Sequence, residues 1–344
     1  MRAVRVHTYG EPPRVDDIPE PTIRGPLDIL VEVAAAGLCR TDLHIIEGQW
    51  AEKSGVELPY VIGHENAGRV REVGSAVTNV APGDQIILHP LVTCGLCLPC
   101  RRGVDQHCEN SRFPGIDSDG GMAELLLTSA RSAVKLPPEL DPVDVAALAD
   151  AGLTAYHAVT KALPLLYPGS SCVVIGVGGL GHIGVQCLAA TTATTVIVVE
   201  RNADALELAG TYGAVHLVPA DGEQVRRVLE LTGGAGAHVV LDFVGEQGTE
   251  AEGLAMTRRA GSYFVIGYGG KVEIPTIDLI ATERSVIGNL VGTYPELHEL
   301  IRLAADGHVR LRTEVFGLDD VNHAIEELES GRLRGRAVLV PRRG

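Results

Sequence analysis

The chain has 344 residues, 45% apolar and 21% charged, the mix of an ordinary folded protein with enough length for two domains. Its formal net charge of −15 makes nucleic acid and anionic membrane poor partners, because an acidic surface repels phosphate. No charged leader precedes an apolar run, and no apolar stretch is long enough to span a bilayer, so the expected setting is the cytoplasm and the expected partner a small molecule.

The first nine residues (MRAVRVHTY) read as a strand. Residues 28–36 (DILVEVAAA), 67–74 (AGRVREVG) and 85–90 (QIILHP) are apolar or alternating runs, separated by turn formers such as Pro82-Gly83-Asp84. This is the pattern of an antiparallel β domain. Four cysteines crowd into residues 94–108, while Cys39, Cys172 and Cys187 stand apart. The character changes near residue 152. Short apolar runs at 172–175, 196–200, 214–218, 238–242, 263–267 and 285–290 then alternate with helical stretches, as in a Rossmann-type doubly wound parallel sheet. A helix over 319–330 and a strand over 335–340 follow. No internal repeat is present.

The spacing Cys94-x2-Cys97-x2-Cys100-x7-Cys108 lets one loop wrap a tetrahedral ion with four thiolates. Four protein ligands leave no open position, so a zinc there is structural. An iron–sulfur cluster is the rival ligand set, and a chance grouping of free thiols the plainest alternative.

The strand at 172–175 runs into Gly176-Val177-Gly178-Gly179-Leu180-Gly181 and then an apolar helix, the setting that gives a glycine-rich turn meaning as a dinucleotide site. Gly176 permits the tight turn, Gly178 lets backbone approach a pyrophosphate, and Gly181 lets helix and strand pack closely. The helix N-terminus offers free N–H groups to phosphate. Glu200 closes the next strand, about twenty residues on, where a carboxylate accepts the ribose hydroxyls of NAD and repels the 2′-phosphate of NADP. Arg201 beside it works against that preference. A glycine turn in a sheet that binds no nucleotide is the alternative.

Two further segments are weak alone: Cys39-Arg-Thr41-Asp42-Leu43-His44 and Gly63-His64-Glu65. A buried cysteine is usually a small core residue. Taken in order with the four-cysteine lobe, Asp150-Ala-Gly-Leu-Thr154, the glycine turn and Gly335-Arg336, they resemble the zinc-containing medium-chain dehydrogenase family nearly end to end, and most of all its bacterial and archaeal NAD-dependent alcohol dehydrogenases.

The resemblance implies a GroES-like catalytic domain over 1–152, an NAD-binding domain over 153–291 and a return to the catalytic domain over 292–344. It implies a catalytic zinc on Cys39, His64 and Asp150, with Glu65 behind it as a transient ligand and Asp42 orienting the histidine. Relatives differ between cysteine and aspartate at the position of Asp150. Thr41 and His44 would carry the alcohol proton outward, although His44 reads equally as a plain pocket histidine. Thr154 would pack on nicotinamide, Val244, Gly267 and Leu290 would line the cofactor, and Arg336 would pair with its pyrophosphate. By position, Leu43, His44, Trp50, Leu290 and Tyr294 are pocket residues, mostly apolar. The implied reaction is hydride transfer between a primary or secondary alcohol, or its carbonyl, and NAD. A polyol, sugar, threonine or formaldehyde dehydrogenase of the same superfamily is the alternative, and a non-catalytic zinc or nucleotide-binding protein has no need of an open zinc position. The resemblance also implies a homodimer or homotetramer paired through the edge segment 285–291.

Overall fold

The computed structural model describes residues 1–333 and 335–341. The chain divides into two units. One takes in Met1–Leu153, Gly292–Ala305 and the stretch from Leu311 onward; the other takes in Thr154–Val291 and Asp306–Arg310.

The first unit carries β1 (Arg2–Val6), β2 (Arg14–Asp17), β3 (Asp28–Leu38), β4 (Tyr60–Val61), β5 (Glu65–Val73), β6 (Gln85–Leu88), β7 (Leu125–Ser129) and β8 (Ala133–Lys135). The second carries β9 (Ser171–Ile175), β10 (Thr195–Glu200), β11 (His216–Pro219), β12 (Ala237–Asp242), β13 (Thr257–Val265) and β14 (Ser285–Gly288). Back in the first unit come β15 (Thr313–Gly317) and β16 (Arg336–Val340).

In the first unit a seven-stranded sheet runs β15-β16-β3-β5-β6-β8, with β7 also pairing β3, and β2-β1-β4 form a small sheet beside it. All of these pairs are antiparallel except β15 with β16. β3 is buried over most of its length because it has neighbours on both edges and on both faces, which suits its run of small and branched side chains. Val31, Val33, Leu38, Val70, Ile86 and Leu126 from these strands share one apolar core with Leu43, Ile45 and Met122.

The second unit is a parallel sheet in the order β11-β10-β9-β12-β13-β14. Continuous apolar runs such as Cys172–Ile175 are buried from both faces by the flanking helices. Strand order reverses between β9 and β12, so the loops leaving those two strands flank a crevice at the carboxyl ends of the sheet.

The sequence pattern locates the long apolar strands but misses β2, β4, β7, β8 and β15, which are short, lie mostly at edges or have little alternation. β13 starts at Thr257, six residues before its apolar run, through a polar stretch in which Ala260 has φ +52°.

β3 and β5 approach closely where β3 is irregular between Val33 and Ala35. A Cβ on Gly68 would stand 2.1 Å from the Glu32 carbonyl oxygen. Gly68→Ala is therefore expected to destabilise the protein by about 1–3 kcal/mol, read as a lower thermal midpoint; an unchanged midpoint would contradict this packing.

Candidate active site

Sheet register assembles the first site. β3 and β5 pair with Gly37 opposite Glu65, and β16 pairs with β3 so that Ala337 lies opposite Leu38. Cys39 at the end of β3, His64 and Glu65 at the start of β5 and Arg336 at the start of β16 thus converge. Asp150, the residue before the helix Ala151–Ala162, completes the group. The ligand atoms of Cys39, His64, Glu65 and Asp150 lie within 4.8 Å of one another, the first three buried and Asp150 partly exposed. Gly37 makes room for this: a Cβ there would stand 2.0 Å from Glu65 Oε2.

Asp42 fixes the geometry from behind. It is fully buried in the helix Arg40–Ile46, accepts the Cys39 N–H on Oδ2 at 2.8 Å and places Oδ1 3.3 Å from His64 Nδ1. His64 Nε2 then faces Asp150 Oδ2 at 3.5 Å. That separation is long for a hydrogen bond, whereas two ligands of one tetrahedral zinc stand about 3.4 Å apart. Among the described residues, both His64 nitrogens and Glu65 Oε2 are buried without a hydrogen-bond partner. Burial opposes protonation of His64, but the Asp42 carboxylate, helped by Asp150 and Cys39, outweighs it and holds the ring well above the usual histidine range. The cluster calls for positive charge, and a divalent cation fits the donor set.

Glu65 Oε1 accepts the Ala151 N–H at 3.0 Å and pairs with Arg336. Burial pushes the Glu65 carboxyl up, against the pull of that guanidinium. Arg336 is 3% exposed. The structure thus gives it a protein partner, Glu65, where a pyrophosphate was expected; the pair offsets the cost of burying each charge.

Thr41 and His44 lie three residues apart on the helix Arg40–Ile46, hence on one face, with His44 buried. Leu43 packs into the apolar core and Trp50 lies partly buried against it. Phe113, which no sequence motif marks, sets its ring edge-on to His64 at 5.8 Å between centroids. Tyr294 departs from the pocket expectation. Its hydroxyl donates to the Ala133 carbonyl at 2.9 Å, its N–H donates to Asp105 at 3.0 Å, and it lines a cavity with Cys100, Gly103 and Arg131. It therefore packs against the four-cysteine lobe.

In that lobe the four sulfurs of Cys94, Cys97, Cys100 and Cys108 also lie within 4.8 Å of one another, and all seven cysteines of the chain are free thiols. The Cys94 sulfur accepts N–H groups from Leu96 and Cys97 at 3.4 Å each; the Cys108 sulfur accepts from Cys94 at 3.2 Å and Asn110 at 3.4 Å. The Leu96 and Cys97 amides bring the Cys94 thiol down to about 6. Backbone donors aimed at sulfur are what a thiolate ligand set needs.

In the second unit Gly176 has φ +80°, and a Cβ on Gly181 would fall 1.8 Å from the Gly176 carbonyl oxygen. Gly178 faces open space. Gly179 and Leu180 close the turn onto the helix Gly181–Thr191. Glu200 Oε2 accepts the Val177 N–H at 2.7 Å, while Oε1 accepts from Arg201 at 2.7 Å and Asn202 at 2.8 Å. The carboxylate is thereby fastened beside the glycine turn. Arg201 reaches away to Gln247 at 3.1 Å. Val244 packs on Gly176, and the Gly267 backbone closes on Val244. Thr154 is buried, its carbonyl accepting from Asn289 at 3.1 Å, and Leu290 is 51% exposed.

Residues 25–138 match the family model of the alcohol dehydrogenase GroES-like domain, and residues 179–306 match that of the zinc-binding dehydrogenases. The chain belongs to the zinc-binding alcohol dehydrogenase family. An NAD-dependent alcohol dehydrogenase of Sulfurisphaera tokodaii is 35% identical over 99% of this chain and all of its own length. A D-arabinose 1-dehydrogenase (NADP(+)) of Saccharolobus solfataricus is 33% identical over 99% of this chain and 97% of its own. The crystal structure of the alcohol dehydrogenase of Aeropyrum pernix superposes with a TM-score of 0.96 at 47% identity, covering 99% of this chain and 100% of that one.

For this member of the family, metal analysis of freshly purified protein is expected to give two zinc ions per chain. Cys97→Ser should lose one of them together with thermal stability, because a closed structural site contributes folding energy. Cys39→Ser should lose the other, keep the fold and abolish turnover. One ion in the unchelated wild type would contradict one of the two assignments, and none would contradict both.

Proposed function

We propose that the chain is a zinc-dependent oxidoreductase that moves a hydride between a primary or secondary alcohol, or its aldehyde or ketone, and NAD. The observation that carries this reading is the buried Cys39–His64–Glu65–Asp150 cluster, in which Asp150 alone is partly exposed. Three ligands and one open side are the mark of a catalytic zinc site.

Cys39, His64 and Asp150 would hold the ion, with Glu65, anchored by Arg336 and the Ala151 N–H, as a further donor in the same cluster. Zinc bound there polarises an alcohol or carbonyl oxygen and makes an alcohol proton acidic. Asp42 keeps the His64 ring in one orientation, so that Nε2 stays turned toward the ligand cluster. The Thr41 hydroxyl takes the substrate proton and His44, on the same helix face, passes it on. The Gly176–Gly181 turn would hold the dinucleotide, and Thr154, Val244, Gly267 and Leu290 would be its further contacts.

Glu200 sets the cofactor preference. A carboxylate has about four lone-pair sites, and three backbone N–H groups leave room on Oε2 for a ribose hydroxyl. A 2′-phosphate at the same place meets like charge, a cost of roughly a hundredfold in affinity. The reading is tested by turnover with NAD and NADP on a panel of aliphatic and aromatic alcohols, polyols and aldoses. Wild type should use NAD with apolar alcohols, and Glu200→Ala should lower kcat/KM for NAD while raising it for NADP. Equal use of both cofactors by the wild type would remove Glu200 from the ribose, and turnover confined to aldoses would favour a sugar dehydrogenase.

A homo-oligomer, dimer or tetramer, accompanies this reading. β14 is a sheet edge, and Val286 on it and Ile277 and Ile280 on the helix Thr276–Thr282 are exposed apolar side chains. An open apolar edge is best covered by a second copy about a two-fold axis. Light scattering should report at least a dimer at micromolar concentration; a monomer would overturn it. The crowding of four cysteines into one metal-type loop supports a reducing, cytoplasmic setting, and the −15 net charge supports a reading without nucleic-acid or anionic-membrane partners. No helix among the described residues is long and apolar enough to cross a membrane.

A further inference from the structure

Asp242 ends β12, beside the point where strand order reverses, and is 0% exposed. No cation among the described residues pairs with it. Its Oδ1 accepts the N–H groups of Val244 and Gly245, each at 2.9 Å, and its Oδ2 accepts the Tyr263 hydroxyl at 2.7 Å. Its own carbonyl accepts from Ile266 and Gly267, each at 3.0 Å. One residue therefore organises both loops that leave β12 and β13. A buried carboxylate without a cation is costly, and three donors converging on it fix their own backbone in return.

Those loops fasten to the glycine turn. The Phe243 N–H donates to the Ile175 carbonyl at 3.0 Å, and the Phe243 ring fills the space left by Gly184, where a Cβ would fall 2.7 Å from Cζ. A Cβ on Gly176 would stand 2.5 Å from Val244 Cγ2, and one on Gly245 would stand 2.0 Å from the Gly267 carbonyl oxygen. Segment 243–245 is thus seated on one side against the turn at 176–181 and on the other against 267.

We propose that Asp242 is a positioning residue of the dinucleotide site: its carboxylate holds Val244 and Gly245 in place over the glycine turn before the cofactor arrives. This rests on the reading of the second unit as the NAD-binding one. Asp242 acts on the cofactor only through the loops it holds, so its removal weakens NADH binding by letting segment 243–245 move.

The test uses the full-length, zinc-loaded protein and NADH titrated by fluorescence. Asp242→Ala should raise the NADH dissociation constant at least about tenfold, as expected on losing hydrogen bonds to a charged acceptor, while zinc content stays that of the wild type. Asp242→Asn keeps Oδ1 for the two N–H groups and can donate from Nδ2 to the Tyr263 oxygen, so it should bind within about threefold of wild type. An alanine variant that is folded and binds as well as the wild type, or an asparagine variant as weak as the alanine one, would overturn the proposal. Should the alanine variant not fold, hydrogen exchange on the wild type decides it: the amides of Val244 and Gly245 should be protected without NADH, and free exchange there would refute pre-positioning. A wild type that binds no NADH would instead sink the cofactor reading itself, and Asp242's role with it.

Discussion

The pairing of β3 with β5 is the constraint on which the active-site architecture depends. With Gly37 opposite Glu65, the end of one strand and the start of the next bring Cys39 and His64 together. Side chains alternate with a period of two, so a slip of one residue would send Glu65 to the opposite face and misplace His64. Small residues permit this register. Gly37 leaves the volume that the Glu65 carboxylate fills, and Gly68 accepts the Glu32 carbonyl against its Cα. The neighbouring pair β16–β3 then delivers Arg336 to Glu65 by the same logic.

Charge explains why those residues tolerate burial together. Asp42, Glu65, Asp150 and the Cys39 thiol crowd around one histidine and one arginine. Arg336 answers Glu65, and Asp42 answers His64, which leaves the Cys39–His64–Asp150 side short of positive charge. In a low-dielectric interior such a deficit is expensive, and a divalent cation relieves it. The three carboxylates are placed differently: Asp42 faces His64 Nδ1, Asp150 faces His64 Nε2, and Glu65 is held by an arginine and a backbone N–H. The four-cysteine lobe meets the same demand differently, with backbone N–H groups turned to its sulfurs.

The second unit uses acidic residues at the ends of parallel strands for a different purpose. Glu200 at the end of β10 and Asp242 at the end of β12 both accept backbone N–H groups from the loops that follow or flank them. Each turns a strand terminus into a fixed edge for the crevice between β9 and β12. Rigidity there matters because backbone that is already in position binds a phosphate chain without first losing its own freedom.

Local sequence was enough for whatever depends on short spacing. Cys94 to Cys108 lie on one loop, so their spacing alone marks a candidate thiolate metal site, and the turn at 176–181 declares itself because strand, glycines and helix are contiguous. The long apolar strands were legible for the same reason, while β2, β4, β7, β8 and β15 were not, since short edge strands gain their stability from neighbours and not from their own pattern. Cys39, His64 and Asp150 gained meaning only from their order along the chain. Tertiary structure alone decided that Arg336 pairs with Glu65, that Tyr294 packs against the cysteine lobe, that Phe113 meets His64 and that Asp242 holds two loops. Each of these contacts joins residues on different strands or loops, and sheet register and core packing, which no window of sequence contains, determine which side chains meet.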